Sequence, residues 1–130
     1  KDQEVILEKK SNTPLDAKKI RAFQGPEFRA LDVSQQREIS QQIFKVSNLN
    51  NRMAYQLLPP ISPFEKSQLT GPVLPGTVQI TPAGNLMVLM REAQTTGGYP
   101  RILQLTAESI NAMAQLKTGD TFRIKILPLN

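Results

Sequence analysis

Histidine, cysteine and tryptophan are all absent from this 130-residue sequence. Without histidine there is no imidazole general base, no imidazole metal ligand and no Ser-His or Cys-His catalytic pair. Without cysteine there are no disulfides, thiolate nucleophiles or thiolate zinc sites. Any chemistry must run on carboxylates, hydroxyls, amides, lysine, arginine and backbone dipoles. No apolar run approaches the length of a membrane-spanning helix and no signal-peptide pattern is visible, so a cytoplasmic protein without a membrane partner is expected. The sequence begins at Lys1 and not at Met, as a processed piece or a fragment would.

Aromatic residues are scarce, five Phe and two Tyr, and sit mostly among apolar neighbours. Stacking platforms for nucleic acid need more. The net charge of +5 is spread thinly: residues 1–52 hold ten basic and seven acidic side chains, residues 53–130 six and four. With acids interleaved and no basic helix, nucleic acid is not an expected partner. A length of 130 residues suits a single domain over 1–130 that buries about two thirds of its unfolded surface.

What is present is a series of short alternating runs. Val5-Ile6-Leu7, Ile20 to Phe23, Ile43 to Val46, Arg52 to Leu57, Val78 to Ile80, Leu86 to Arg91, Ile102 to Leu105 and Thr121 to Leu127 all read as strands. In the last, Phe122, Ile124 and Ile126 share a face. Gly25-Pro26 breaks the chain, and one or two short helices fit Glu27 to about Ser40, with Ser34 as a plausible N-cap and Phe28, Leu31 and Ile39 apolar. Ser47 to Asn51 reads as a turn. Residues 58–76 contain Pro59, Pro60, Pro63, Pro72 and Pro75, a density that predicts an irregular ordered excursion with Leu69, Val73 and Leu74 seeking a packing site. The clearest helix is 107–116, capped by Thr106, with Glu108 in its first turn and Ile110, Met113, Ala114 and Leu116 as its apolar stripe. Many short strands and few helices predict a mainly β fold, a small antiparallel barrel or sandwich. Met87 and Met90 are expected in its core.

The segment Gln94-Thr95-Thr96-Gly97-Gly98-Tyr99-Pro100 stands out as a polar tip between two buried strands. Paired glycines free the backbone, and successive N–H groups in such a turn can accept an anion or a carbonyl oxygen. An ordinary long hairpin loop fits the same residues.

Ile20 to Pro26, Asn51-Arg52-Met53, Gly76-Thr77-Val78-Gln79, Gln94 to Pro100 and the run Gln115 to Asp120, in that order and spacing, resemble the biotin-dependent carboxyltransferase-type domain family, also called allophanate hydrolase subunit 2. That family includes the C subunit of bacterial 5-oxoprolinase, an antagonist of a sporulation kinase inhibitor, and part of urea carboxylase. The likeness covers nearly the whole chain and corresponds to the C-terminal half of the family's domain. It implies a cyclophilin-like β-barrel, a related B-type partner subunit, the N-terminal half of the same domain as a further partner, and a small amide or lactam substrate. It implies either ATP used by the partnered complex or carboxybiotin, with no cofactor bound by this chain alone. It leaves open an oxoprolinase part, a urea carboxyltransferase and a non-catalytic regulatory module.

The candidate binding residues are Arg52, Gln79, Gln94, Thr95, Thr96, Gly97, Gly98 and Tyr99. Arg52, after a turn, can grip a carboxylate in bidentate fashion or serve as a salt-bridged rim residue. Gln79 can point inward or to solvent, and the resemblance implies a pocket-facing amide. Thr95 and Thr96 offer hydroxyls to a ligand or to their own loop, and Gly97 and Gly98 offer N–H groups. Tyr99 can close a pocket or pack on Pro100. Glu92 is the local candidate for proton acceptor, against the default of an exposed carboxylate. No metal site is expected.

Overall fold

A computed structural model describes residues 19–64, 71–93 and 96–128. The expected strand at Val5 to Leu7, Leu69, and the site residues Gln94 and Thr95 lie outside them. Among these residues nine strands form: β1 (Lys19–Gln24), β2 (Ile43–Asn50), β3 (Ala54–Leu58), β4 (Gly71–Pro72), β5 (Thr77–Ile80), β6 (Leu86–Leu89), β7 (Thr96–Gly97), β8 (Arg101–Leu105) and β9 (Thr121–Ile126). The described residues also form two α-helices, α1 (Val33–Gln41) and α2 (Ala107–Ala114), with a 3-10 turn at Phe28–Ala30.

Seven strands close a barrel in the order β1-β8-β5-β6-β3-β2-β9. The seam is closed by parallel pairing of β1 with β9, Ile20 opposite Ile124, so the expected antiparallel barrel has one parallel pair, between its first and last described strands. Period-two alternation decides which side chains enter. Ile20 and Ala22, Phe44 and Val46, and Phe122 and Ile124 are buried, while Lys19, Arg21, Lys45, Arg123 and Lys125 between them are exposed. Phe44 and Phe122 face each other across β2 and β9 with ring centroids 6.2 Å apart.

One end of the barrel is sealed by α1 and residues 59–64. Asp32, not Ser34, caps α1: its carboxylate accepts from Gln35 N at 2.7 Å while Gln35 Oε1 accepts from Asp32 N at 3.0 Å. The reciprocal pair satisfies two donors that a lone serine cannot, which is why the helix starts earlier than Ser34 suggests. Gln35 is buried and donates to the carbonyls of Ser62 and Pro63, tying α1 to the proline-rich chain. At the other end, α2 is capped by Thr106 as expected and buries Ile110 and Met113, whereas Ala114 is exposed.

Three local expectations differ from the structure. Strand β2 runs through Ser47 to Asn50, because a register shift between Val46 and Asn50 keeps the polar residues paired with β3. The proline-rich stretch is not wholly irregular: Gly71 and Pro72 pair with Gly97 and Thr96 in a two-stranded ribbon outside the barrel. Leu74 is exposed while Val73 is buried, and Met87 is only half-buried while Met90 is in the core.

The crossing of residues 25–27 over β8 is held without any side-chain space. Gly25 N donates to Ile102 O at 2.8 Å, and a Cβ on Gly25 would lie 2.4 Å from Arg101 O. Beside it, Arg101 binds Glu27 through Nη2 at 2.8 Å, Nε at 2.9 Å and its backbone N at 2.7 Å, and Nη1 donates to Pro72 O at 2.9 Å. The side chains are 23% and 17% exposed. Hydrogen bonds from the guanidinium hold the Glu27 carboxyl below its ordinary value of 4.5 and push Arg101 up. A depressed carboxyl contributes stability that is full above the ordinary value and is lost as pH falls through the folded one. Glu27→Gln is therefore expected to cost about 1.5–3 kcal/mol at pH 7, with the gap to wild type closing as pH falls below 4.5. Urea melts across pH 7 to 3 check this, and a gap constant over that range contradicts it.

Candidate functional site

Of the predicted residues that are described, Arg52 and Glu92 lie at the α2 end of the barrel, Gln79 and Tyr99 beside the outer face of β5, and Thr96 and Gly97 in the ribbon with β4.

At the α2 end, an open cleft of about 490 Å³ lies between the β2–β3 turn, the exit of β6 and α2. The turn is shaped by Asn51, whose Oδ1 accepts from the backbone N of Met53 at 2.8 Å and of Ala54 at 3.0 Å. This side-chain turn lifts Arg52 to the rim. Residues 90–92 then run beside it: Met90 N donates to Met53 O at 2.9 Å and Glu92 N to Arg52 O at 3.2 Å. The same pairing brings Arg52 Nη1 to 3.6 Å from Glu92 Oε2, with the side chains 85% and 61% exposed. Arg91 Nη2 donates to Asn111 Oδ1 on α2. Tyr55, Met90 and Ile110 form the apolar wall.

Sequence reasoning picks out Arg52 and Glu92 but misses Tyr55, Arg91 and Asn111. Arg91 adjoins Glu92 in sequence, a signal that points to it; Asn111 is brought in only by the folding of α2. Chemically, the cleft offers a loosely paired guanidinium that can exchange Glu92 for another carboxylate, above an apolar wall.

Gln79 lies elsewhere. On β5, Val78 and Ile80 face the core, and Thr77 and Gln79 face outward yet are buried at 4% and 6% exposure. Gln79 is thus neither in the barrel interior nor in solvent; its Nε2 donates to Tyr99 O at 3.5 Å. Thr77 Oγ1 donates to Gln104 Oε1 at 2.9 Å. Tyr99 is 44% exposed, and a Cβ on Gly98 would meet nothing within 4 Å. Thr96 and Gly97 belong to β7. The hairpin reading of Gln94 to Pro100 is excluded by topology: β5 lies between β6 and β8, so the segment connects strands that are not neighbours. Among the described residues, no group of three or more acidic side chains could hold a metal ion, and no helix is long and apolar enough to cross a membrane.

A closed β-barrel with two helices and an arginine-rimmed cleft defines the class. The sequence profile of the carboxyltransferase domain, subdomains A and B, matches residues 1–126, and the chain belongs to that family. It is 37% identical over 103 residues to the C subunit of 5-oxoprolinase from Escherichia coli K12, covering 78% of this chain and 33% of that protein. It is 32% identical over 114 residues to the C subunit of 5-oxoprolinase from Haemophilus influenzae Rd, covering 85% and 36%. The chain therefore spans about a third of the length of the curated relatives it matches. Its fold matches part of the Kluyveromyces lactis urea amidolyase with a TM-score of 0.76 at 16% identity, over 85% of this chain and 7% of that one. The expected mainly β, cyclophilin-like barrel is the fold observed.

Proposed function

We propose that the chain forms part of the C subunit of a 5-oxoprolinase-type amidohydrolase, which opens a lactam with ATP in a cytoplasmic complex with a related B-type subunit. The observation that carries this reading is the 37% identity to a protein of that name over 78% of the chain. The cleft suits it. A 5-oxoproline molecule presents one carboxylate and one lactam amide, and Arg52 offers the fork that a carboxylate prefers. The apolar wall of Tyr55, Met90 and Ile110 suits the ring methylenes. Addition of water across the C–N bond of the ring gives glutamate. In this reading the nucleotide belongs to the partnered complex, and no step here runs through it.

A second reading is favoured by the family profile itself, which is that of a carboxyltransferase domain. There the same cleft would receive carboxybiotin and pass its carboxyl group to urea. The test is turnover with and without partners. The 130-residue chain alone, given 5-oxoproline and ATP, is expected to release no glutamate, and the assembled complex is expected to release it. Glutamate release by the isolated chain overturns the need for partners. Carboxyl transfer to urea by the assembled protein, without glutamate release, replaces the first reading by the second. A complex that binds a partner but turns over neither substrate indicates the regulatory role.

A further inference from the structure

We propose that the cleft between β1, β9 and the end of α1 binds a small anion carrying several phosphate charges. This cleft, of about 360 Å³, is bounded by Lys19, Ser40, Arg123 and Lys125, with Ile124 and Ile126 as its apolar part. It is distinct from the Arg52 cleft, and the inference rests on no part of the proposed enzymatic reading.

The cations come from opposite ends of the described chain and meet through the parallel seam. Lys19 stands opposite Arg123, and Arg21 opposite Lys125. Their orientation is fixed from inside, since the intervening Ile20 and Ile124 are buried at 1% and 3% exposure. All four charged side chains therefore share the outer face, and Lys45 extends the row on β2 opposite Thr121. None of these three strands contains an acidic residue. The acid on the helix above, Glu38, is engaged: its carboxylate accepts from Ser62 N at 2.9 Å and Ser62 Oγ at 2.6 Å.

Like charges directly opposite on neighbouring strands are destabilising. The seam holds two such pairs side by side, a cost that a bound anion would relieve. Adjacent strands lie about 4.8 Å apart and same-face neighbours on one strand about 6.6 Å, so Lys19, Arg123 and Lys125 reach one small ligand together. A single carboxylate answers one of them; a di- or triphosphate answers all three. Ser40 adds a hydroxyl donor. The C-terminal end of α1 opposes an anion through its carbonyls, and Arg123 Nη1 offsets this by donating to Gln41 O at 3.3 Å. The volume suits a small molecule and not a duplex or a folded segment.

The test is titration of the complete protein with inorganic tripolyphosphate, followed by calorimetry and amide NMR. Saturable one-to-one binding is expected, with shifts centred on residues 19–21, 40 and 123–125. Removing each cation is expected to weaken binding about tenfold, and Lys19→Glu with Arg123→Glu at least about 100-fold. Arg29→Glu with Lys117→Glu, an equal charge change at exposed positions elsewhere, should stay within about twofold. If the first pair impairs folding, Lys19→Gln with Lys125→Gln serves in its place. Non-saturable binding, or equal weakening by the control pair, overturns the proposal. Tighter binding of a nucleic-acid duplex, with shifts spreading to Lys45, would assign the face to nucleic acid instead.

Discussion

Gly84→Ala is expected to lower the melting temperature by more than about 10 °C, its added Cβ making a closer approach than one at Gly25, Gly71, Gly76, Gly98 or Gly119. Gly84 sits in the turn between β5 and β6 at φ +92°, where a Cβ costs about 1–2 kcal/mol by itself. The larger cost is a collision. The added Cβ would lie 2.0 Å from Ile61 O and 3.1 Å from Ser62 O. These are backbone atoms, so no side chain can swing aside. Nor can the opposing segment retreat freely, because Ile61 N donates to Gly84 O at 2.9 Å and Phe64 N to Pro82 O at 3.0 Å. Moving it breaks those bonds, worth about 1 kcal/mol each, and draws Ile61 and Phe64, 5% and 4% exposed, from the core. A total of about 3–5 kcal/mol is a large part of a typical stability of about 5–15 kcal/mol. Gly98→Ala is the contrast: its Cβ meets nothing within 4 Å, so its effect should stay below about 1 kcal/mol. Melting of the two variants side by side decides the matter. A Gly84→Ala melt within about 3 °C of wild type would show that the 59–64 segment yields more easily than its hydrogen bonds imply.

That collision illustrates what can be read from the sequence and what cannot. Alternation locates β1, β6 and β9 because each buries one side chain in two against the core, whereas β5 and β8 are buried at consecutive positions. Thr106 announces α2 because its cap is local. Asp32 is easily passed over for Ser34, although Gln35 three residues on is the available sign of a capping box. Pairings between distant segments leave no local trace. Glu27 and Arg101 are 74 residues apart. The cationic seam is more instructive: read along the sequence, its lysines and arginines are diluted by acids, yet strand pairing sorts Lys19, Arg21, Arg123 and Lys125 onto one face to which β1, β2 and β9 contribute no acid. The Gln94 to Pro100 segment reads as a tip because the apolar runs around it look like hairpin partners. Only the insertion of β5 between β6 and β8 separates it from that role and buries Gln79 on an outward face. Of the site, Arg52 is legible through its turn; its pairing with Glu92 requires the register of residues 90–92 against 52–53.

If the proposed lactam-opening reading holds, Arg52→Ala placed in the assembled complex is expected to raise KM for a carboxylate substrate about 10- to 100-fold while kcat changes little. The reason lies in its setting. Asn51 builds the turn with its own side chain, so Arg52 contributes nothing to the local backbone shape beyond its carbonyl. Its side chain is 85% exposed, and the ion pair with Glu92 at 3.6 Å is worth at most about 1 kcal/mol. Folding should therefore survive the truncation with a change below about 1 kcal/mol. A charge-assisted fork to a substrate carboxylate is worth more, about 1.5–3 kcal/mol, and is made equally in ground and transition states. Loss of such uniform binding raises KM and spares kcat. Arg52→Lys should recover part of the affinity, since it keeps the charge and loses the fork. Glu92→Gln separates the two roles left open for that residue. If Glu92 only competes with substrate for Arg52, its neutralisation lowers KM or leaves it unchanged. If it accepts a proton during ring opening, kcat falls by about 100-fold or more. An unchanged KM in Arg52→Ala would return Arg52 to the rim and move the search for the carboxylate grip to Arg91, whose guanidinium is already held in place by Asn111 on α2.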